Sequence, residues 1–284
     1  WTAEVEVDIG DGNGFQPYSP EDKGITEFYV LPNEDLAKQL GYPCFGMPGN
    51  PCNQTNGNKV ELATDYVGTG PFPLVFQRIY NSRAHEVANN NGWLGSHWRS
   101  NYENAVVVTG SMARVHRPDG KIYTFTESDG QWVTTGDVTE TLVERVDVSG
   151  DTTGWEYTTN DDVVESYDAS GRLLSLTARG GLTQTLSYDT TGRLSQVTDP
   201  LGRSLTFGYS GTANRLASLT DPAGQTITYT HVGDNLTTVT YQDATTWGYL
   251  YEDSRFPYAL TGKTDGNGAR QGWYDYDPEG WAFR

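Results

Sequence analysis

Apolar and polar positions alternate along most of this chain, and from about residue 155 the alternation recurs in units. Leu205-Thr206-Phe207-Gly208-Tyr209 reads as a strand with one apolar face. Arg193-Leu194-Ser195-Gln196-Val197-Thr198, in the same unit, is rich in strand-favouring types. Tyr188-Asp189-Thr190-Thr191-Gly192 and Asp199-Pro200-Leu201-Gly202 supply turns: Asp bonds its own backbone two residues on, Pro pre-sets φ, and Gly takes a positive φ. Each unit therefore predicts two short strands and two turns. Leu194 and Val197 break strict alternation, so either a bulge separates them or both faces are covered.

The units are anchored by Tyr167, Tyr188, Tyr209, Tyr229 and Tyr249, spaced 21, 21, 20 and 20 residues apart. A held period of this size predicts an array of stacked units. The first unit carries Tyr167, Asp168, Gly171, Arg172 and Leu173; the second repeats Asp189, Gly192, Arg193, Leu194, Asp199, Pro200 and Gly202. The third keeps Arg215, Leu216, Asp221, Pro222 and Gly224, while the fourth replaces the Asp-Pro turn with Gln242-Asp243-Ala244. Beyond Tyr249 the period slips; Leu260 to Gly268 resembles mid-unit and Tyr276-Asp277-Pro278-Glu279-Gly280 the start of another, so the array is expected to be incomplete.

The pattern Tyr-Asp-x-x-Gly-Arg-Leu-x-x-(Val/Leu)-Thr-Asp-Pro-x-Gly resembles the Rhs/YD-repeat family of large bacterial proteins. Gly49-Asn50-Pro51, Gly57-Asn58-Lys59-Val60, Leu74-Val75-Phe76-Gln77-Arg78-Ile79-Tyr80-Asn81-Ser82, Gly92-Trp93 and Arg114 to Lys121 resemble the segment that precedes such repeats. The resemblance implies an all-β fold of stacked hairpins in a curved or spiralling sheet, a fragment of a hollow shell. It also implies a scaffold that encloses a C-terminal toxin for bacterial competition, exported by a secretion system to the outside or the cell surface. Its partners would be the remainder of the shell and the toxin cargo. Family self-cleavage uses aspartates in a C-terminal core motif; Asp277-Pro278-Glu279-Gly280 matches an ordinary repeat start, so that role is not carried over.

Three segments are expected: an irregular 1–47 with a short strand and helix, a pre-repeat β segment 48–125, and repeats over 126–284, with continuous β structure from about residue 55. The best helix is Leu36-Ala37-Lys38-Gln39-Leu40, opened by acidic residues and stopped at Gly41. The first residue is Trp and no basic stretch followed by an apolar one opens the chain, which reads as a mature form or a trimmed fragment. No run of 18 apolar residues occurs, so no membrane span is expected.

Composition agrees with a β chain: 33 Gly, 18 Tyr and 8 Trp among 284 residues. The net charge of −18 argues against a nucleic-acid partner, whose phosphates need a basic face. It fits either a self-repelling soluble surface or an acidic inner wall meeting a basic cargo. Cys44 and Cys52 are too few for a structural zinc site and read as a local disulfide or two free thiols. Asp8, Asp11 and Asn13 could offer oxygens to Ca²⁺ but lack the closing Glu of the full loop; an ordinary strand-to-loop turn accounts for them better, and no metal is expected.

No cofactor and no catalytic constellation are expected. His85, His97, His116 and His231 form no metal-binding spacing, and no GxSxG elbow occurs. A carbohydrate-binding or cell-surface adhesion module is the alternative to a scaffold, with Trp93, Trp98, Trp132, Trp155, Trp247, Trp273 and Trp281 available to stack on a glycan. A hydrolase is the third reading.

Overall fold

The computed structural model describes residues 6–7, 16–17, 38, 52–53, 56–84, 91–211 and 214–283. The chain divides into two units, Trp1–Leu31 and Pro32–Arg284. The first holds a two-stranded antiparallel pair, β1 (Glu6–Val7) and β2 (Gln16–Pro17). Asp8, Asp11, Asn13, Cys44 and His85 lie outside the described residues, as does the side chain of Cys52, so the Ca²⁺ and disulfide expectations fall there too. Of the expected helix only Lys38 is described, and it is helical.

The second unit is all β. The early strands are β3 (Cys52–Asn53), β4 (Asn58–Val67), β5 (Val75–Asn81), β6 (Asn91–Gly92), β7 (Gly95–Ser96) and β8 (Trp98–Ser100). Strands β3, β4, β5 and β8 form a small sheet of their own, and β6 and β7 form a separate hairpin. A long antiparallel ladder follows. It opens with β9 (Ala105–Thr109), β10 (Met112–His116), β11 (Ile122–Ser128), β12 (Gln131–Val133), β13 (Thr141–Val146) and β14 (Thr152–Thr158). It continues through β15 (Val164–Asp168), β16 (Leu173–Thr177), β17 (Thr183–Tyr188), β18 (Leu194–Thr198), β19 (Ser204–Tyr209) and β20 (Leu216–Thr220). It finishes with β21 (Thr226–Val232), β22 (Asn235–Thr240), β23 (Thr246–Leu250), β24 (Gly262–Thr264) and β25 (Arg270–Trp273). The β segment expected as one run from residue 55 is therefore more than one sheet.

The ladder curls without closing. β9 pairs with β10 and β25 with β24, and no register joins β9 to β25. Instead the outer edge of β9 meets the turn between β15 and β16: Val106 N–H donates to Gly171 C=O at 2.9 Å, and Ala105 bridges to Arg172. Right-handed strand twist accumulated over eight strands brings the edge round to this point. The sheet then continues past it.

Within each repeat, a bulge reconciles Leu194 with Val197. Tyr188 pairs with Leu194 but Ser187 with Gln196, so Ser195 is the extra residue and both apolar side chains are buried. The same shift recurs at Tyr167/Leu173, Tyr209/Leu216 and His231/Leu236. The structural equivalents of Tyr167, Tyr188 and Tyr209 in the later units are thus His231 and, by its hydrogen bond, Tyr251, two residues beyond the anchors Tyr229 and Tyr249. The β6–β7 hairpin explains the departure. It sits against this unit, with Ser96 N–H donating to Asp234 C=O at 2.8 Å and Leu216 N–H to Trp93 C=O at 2.7 Å. His231 meets Leu94 C=O at 3.2 Å where its predecessors make a different contact.

Candidate functional site

The repeat turns are self-contained. Asp168, Asp189, Asp199 and Asp221 each accept on Oδ1 from the backbone N–H groups two and four residues on, at 2.8–3.0 Å. At the fourth position Gly171, Gly192, Gly202 and Gly224 hold φ of +79° to +83°, which a side chain disfavours. Arg172, Arg193 and Arg203 return Nε to the other carboxylate oxygen at 3.0, 2.7 and 2.7 Å. The Thr191 hydroxyl, with Arg193, holds the Asp189 carboxyl below the ordinary range. In the fourth unit Tyr241 and Ala244 occupy the Asp and Gly positions, and Ala244 is held at φ +64°.

Turns are then locked to one another. The guanidinium of Arg172 lies 4.6 Å from the Tyr188 ring and that of Arg193 4.7 Å from the Tyr209 ring. Tyr188 Oη donates to Leu173 C=O at 2.6 Å, Tyr209 to Leu194 at 2.7 Å and Tyr251 to Leu236 at 3.1 Å. Each of these carbonyls sits beside a bulge, where the ladder leaves backbone groups without strand partners. The consensus Tyr, Asp, Gly, Arg and Leu of a repeat thus serve one purpose: fastening a turn to the next hairpin.

Tyr229 and Tyr249 do something else. They face the small sheet, where Arg78 and Asp65 form a buried bidentate pair at 2.6 and 2.9 Å. Tyr229 and Tyr241 each donate to the Asp65 carboxylate at 2.8 Å, and Arg78 Nη1 donates to Tyr249 Oη at 3.1 Å. The guanidinium lies 5.2 Å from Trp98 and 5.4 Å from Tyr249. Burial alone would lower the Arg78 pKa, but Asp65 and the tyrosines hold it well above its ordinary value. Phe76 meets Phe207 at 5.6 Å and Tyr229 at 6.3 Å, closing an apolar seam beside the pair.

Two further carboxylates, Glu61 and Glu165, are held in ion pairs that reach across the chain. Glu61 binds Lys59 at 3.0 Å and Lys263 at 2.5 Å. Burial would raise the Glu61 pKa, yet the two lysines hold it below the ordinary value. Arg117 grips Glu165 at 2.5 and 2.9 Å, with Asn104 donating to the same carboxylate at 2.8 Å. Arg78–Asp65 with its tyrosines and Glu61–Lys263 therefore join the small sheet to the later ladder strands, while Arg117–Glu165 ties the ladder to itself.

A groove of about 770 Å³ lies between the β6–β7 hairpin and the turns of the first two repeats, with Arg99, Arg172, Arg193 and Glu103 in its walls. Burial pushes the Glu103 carboxyl up to about 7, against the pull of Arg99 and the Ser100 N–H. The native state thus favours the protonated acid. This contribution to stability is complete below the unfolded value of 4.5 and is lost as pH rises through about 7. Glu103→Gln is expected to remove that slope. At pH 8 the variant should exceed the parent by on the order of 2 kcal/mol in urea denaturation, with near parity at pH 4. Equal stabilities at both pH values would show that Glu103 ionises as freely as in the unfolded chain.

The remaining residues singled out from sequence are dispersed. His97 is buried against Tyr80 and Tyr258, and burial, with Arg99 and Arg114, pushes His116 down to about 4. No group of His, Cys, Asp and Glu capable of holding a metal occurs among the described residues. Trp98 is fully buried and donates to Tyr251 Oη at 2.9 Å; Trp93 stacks on Phe76 at 6.1 Å. Trp247 and Trp281 lie under Lys263 and Arg83, while Trp273, on β25, is 54% exposed. Among the described residues no helix is long and apolar enough to cross a membrane. The clamps escaped sequence reading because Asp65 and Arg78 precede their tyrosine partners by more than 150 residues.

Family models match two stretches of the chain: "Domain of unknown function (DUF6531)" over residues 49–125, and "RHS Repeat" over residues 167–204 and 188–226. A search among curated proteins finds no match. Among solved structures, the chain is similar to the crystal structure of TcdB2-TccC3-Cdc42, at 15% identity and a TM-score of 0.32, over 77% of this chain and 14% of that one. It is similar to the Photorhabdus luminescens Tc holotoxin pore, at 15% identity and a TM-score of 0.32, over 79% of this chain and 14% of that one. It is also similar to the N-terminal domain of the effector protein SpvB from Salmonella typhimurium strain LT2, at 15% identity and a TM-score of 0.37, over 72% and 98%. The DUF6531 stretch contains the small sheet and the first two strands of the ladder and ends within the third, and the RHS stretch contains the turns fastened by Tyr188 and Tyr209. Residues 167–226 of this chain therefore carry RHS repeats, a 21-residue Tyr-Asp unit whose Asp-x-x-Gly turns recur with one geometry.

Proposed function

We propose that this chain is part of the wall of an Rhs-type β shell, a scaffold that encloses and protects a toxin polypeptide for delivery in bacterial competition. The proposed organisation is a pre-repeat segment over 48–125, whose small sheet packs on the wall and whose last strands open it, and repeats over 126–284 that continue the wall. The wall's partners are the rest of the shell and its cargo, and its place is outside the producing cell or on its surface. The observation that carries this reading is the curl of the ladder: β9 meets the turn at Gly171 edge to end, and the sheet runs on past it. A sheet that passes its own start is a spiral, and a spiral can be extended by further repeats without an end to its concave face.

The turn residues support a structural role. Asp189, Arg193 and Tyr209 are consumed by hydrogen bonds and ring contacts within the wall. The test is negative-stain imaging of the natural full-length protein together with limited proteolysis. A hollow envelope with a downstream polypeptide resistant to trypsin is expected. A solid particle, or a downstream polypeptide cut as fast as an unfolded one, removes the shell reading.

A further inference from the structure

A cavity of about 500 Å³ lies between β9, β12, β13, β14 and the turn after β15. Trp132 and Trp155 form its aromatic wall, meeting edge to face at 5.3 Å and 77°. Glu144 stands directly opposite Trp155 in the β13–β14 register, so both share the face that buries Tyr157. The Glu144 carboxylate accepts from Trp132 Nε1 at 3.1 Å and from the Thr152 hydroxyl. Among the described residues it has no ion pair; Arg145, next along, is committed to Glu156. The indole N–H of Trp155 is buried without an acceptor.

A half-buried carboxylate between two indoles, with acceptor capacity left over, lacks only a cation. Indole faces attract ammonium and guanidinium groups within about 6 Å, and the carboxylate adds a charge-assisted hydrogen bond. Backbone lies within reach as well. Val106 N–H points away from β10 to Gly171, so two residues on Val108 also turns its N–H and C=O away from β10. Val108 lines the same cavity, and beyond the Ala105–Arg172 bridge and the Val106–Gly171 bond β9 has no strand partner on that side among the described residues. An unpaired strand edge beside a side-chain pocket is the arrangement by which one chain receives an extended segment of another.

We infer that this cavity is a docking site for an extended polypeptide segment that pairs with the β9 edge and places a lysine or arginine against Trp132 and Glu144. The net charge of −18 favours such a basic segment over an acidic or neutral one. That the segment belongs to the enclosed polypeptide rests on the shell reading; the selectivity of the pocket for a cation does not, and is measured on this chain alone.

The experiment follows the indole N–H resonances of ¹⁵N-Trp-labelled chain, with Trp132→Phe and Trp155→Phe used for assignment. The probes are capped pentapeptides, acetyl-Thr-Val-Lys-Val-Thr-amide and the same peptide with norleucine or glutamate at its centre. The lysine peptide is expected to move both resonances saturably, with at least tenfold weaker binding of the norleucine peptide and no binding of the glutamate peptide. Glu144→Gln should reduce the lysine peptide to the norleucine level. Val108→Pro, which removes the outward N–H and leaves Glu144 in place, should weaken both about equally. Equal binding of lysine and norleucine peptides by the parent overturns the inference. So does movement of these resonances by mono- or disaccharides alone, or no movement with any probe. Because none of these outcomes depends on the parent particle's shape, failure here is separable from failure of the shell reading.

Discussion

Arg78→Met is expected to lower the stability of this chain by about 3–5 kcal/mol, because it strands the Asp65 carboxylate among aromatic rings. The pair is wholly inaccessible to water, and both side chains are engaged by hydroxyls from strands far along the chain. Methionine fills much of the space but supplies no charge, so the two tyrosine donors are left to hold an anion in a medium that penalises it. Adding Asp65→Asn to Arg78→Met should recover a substantial part of the loss, since neutral buried pairs are tolerated where half-pairs are not. Urea unfolding followed by tryptophan fluorescence measures both variants. A loss below about 1 kcal/mol for Arg78→Met would be the signature of an exposed pair and would mean the clamp holds nothing.

Gly171→Ala should be at least as damaging, for a geometric reason. A Cβ at this glycine would lie 1.7 Å from Val106 C=O, with the φ of +79° adding its own strain. Neither atom can yield without breaking the Val106 N–H to Gly171 C=O bond that seats the edge of β9 on the wall. Gly192 is the matched control: it holds φ +83° in the same turn of the next repeat, yet a Cβ there finds nothing nearer than Arg172 Nη1 at 3.9 Å. Gly192→Ala is therefore expected to cost about 1 kcal/mol, the left-handed strain alone. Gly171→Ala should cost about 3 kcal/mol or more and should expose the Val106 amide to hydrogen exchange. Similar costs for the two would show that the edge of β9 does not rest on Gly171 in solution.

The contrast between these two glycines shows where reading a repeat stops. Both are identical in the motif, both follow Asp-x-x, and the turn they complete is legible from the residues. What meets the turn from outside is not, because β9 lies some 65 residues upstream and its approach depends on twist summed over the strands between. The tyrosines divide in the same way. Tyr188 and Tyr209 repay the repeat reading by reaching back to Leu173 and Leu194. Tyr229 and Tyr249, evenly spaced with them, turn out to belong to the clamp, and His231 and Tyr251 stand at the equivalent wall positions.

Sequence by itself determined the all-β class, the hairpin unit, the turn chemistry of Asp189 and Gly192 and their fellows, and the bulge that Leu194 and Val197 require as one of two options. These are local matters, settled within about 20 residues by φ preferences, side-chain-to-backbone bonds and strand alternation. Tertiary structure alone decided that residues 58–81 fold as a separate sheet against the wall, that Arg78 and Asp65 are its fasteners, and that Glu144 faces two indoles with no ion pair among the described residues. Such pairings join residues whose separation along the chain bears no relation to their distance in space; curvature, not composition, brings them together.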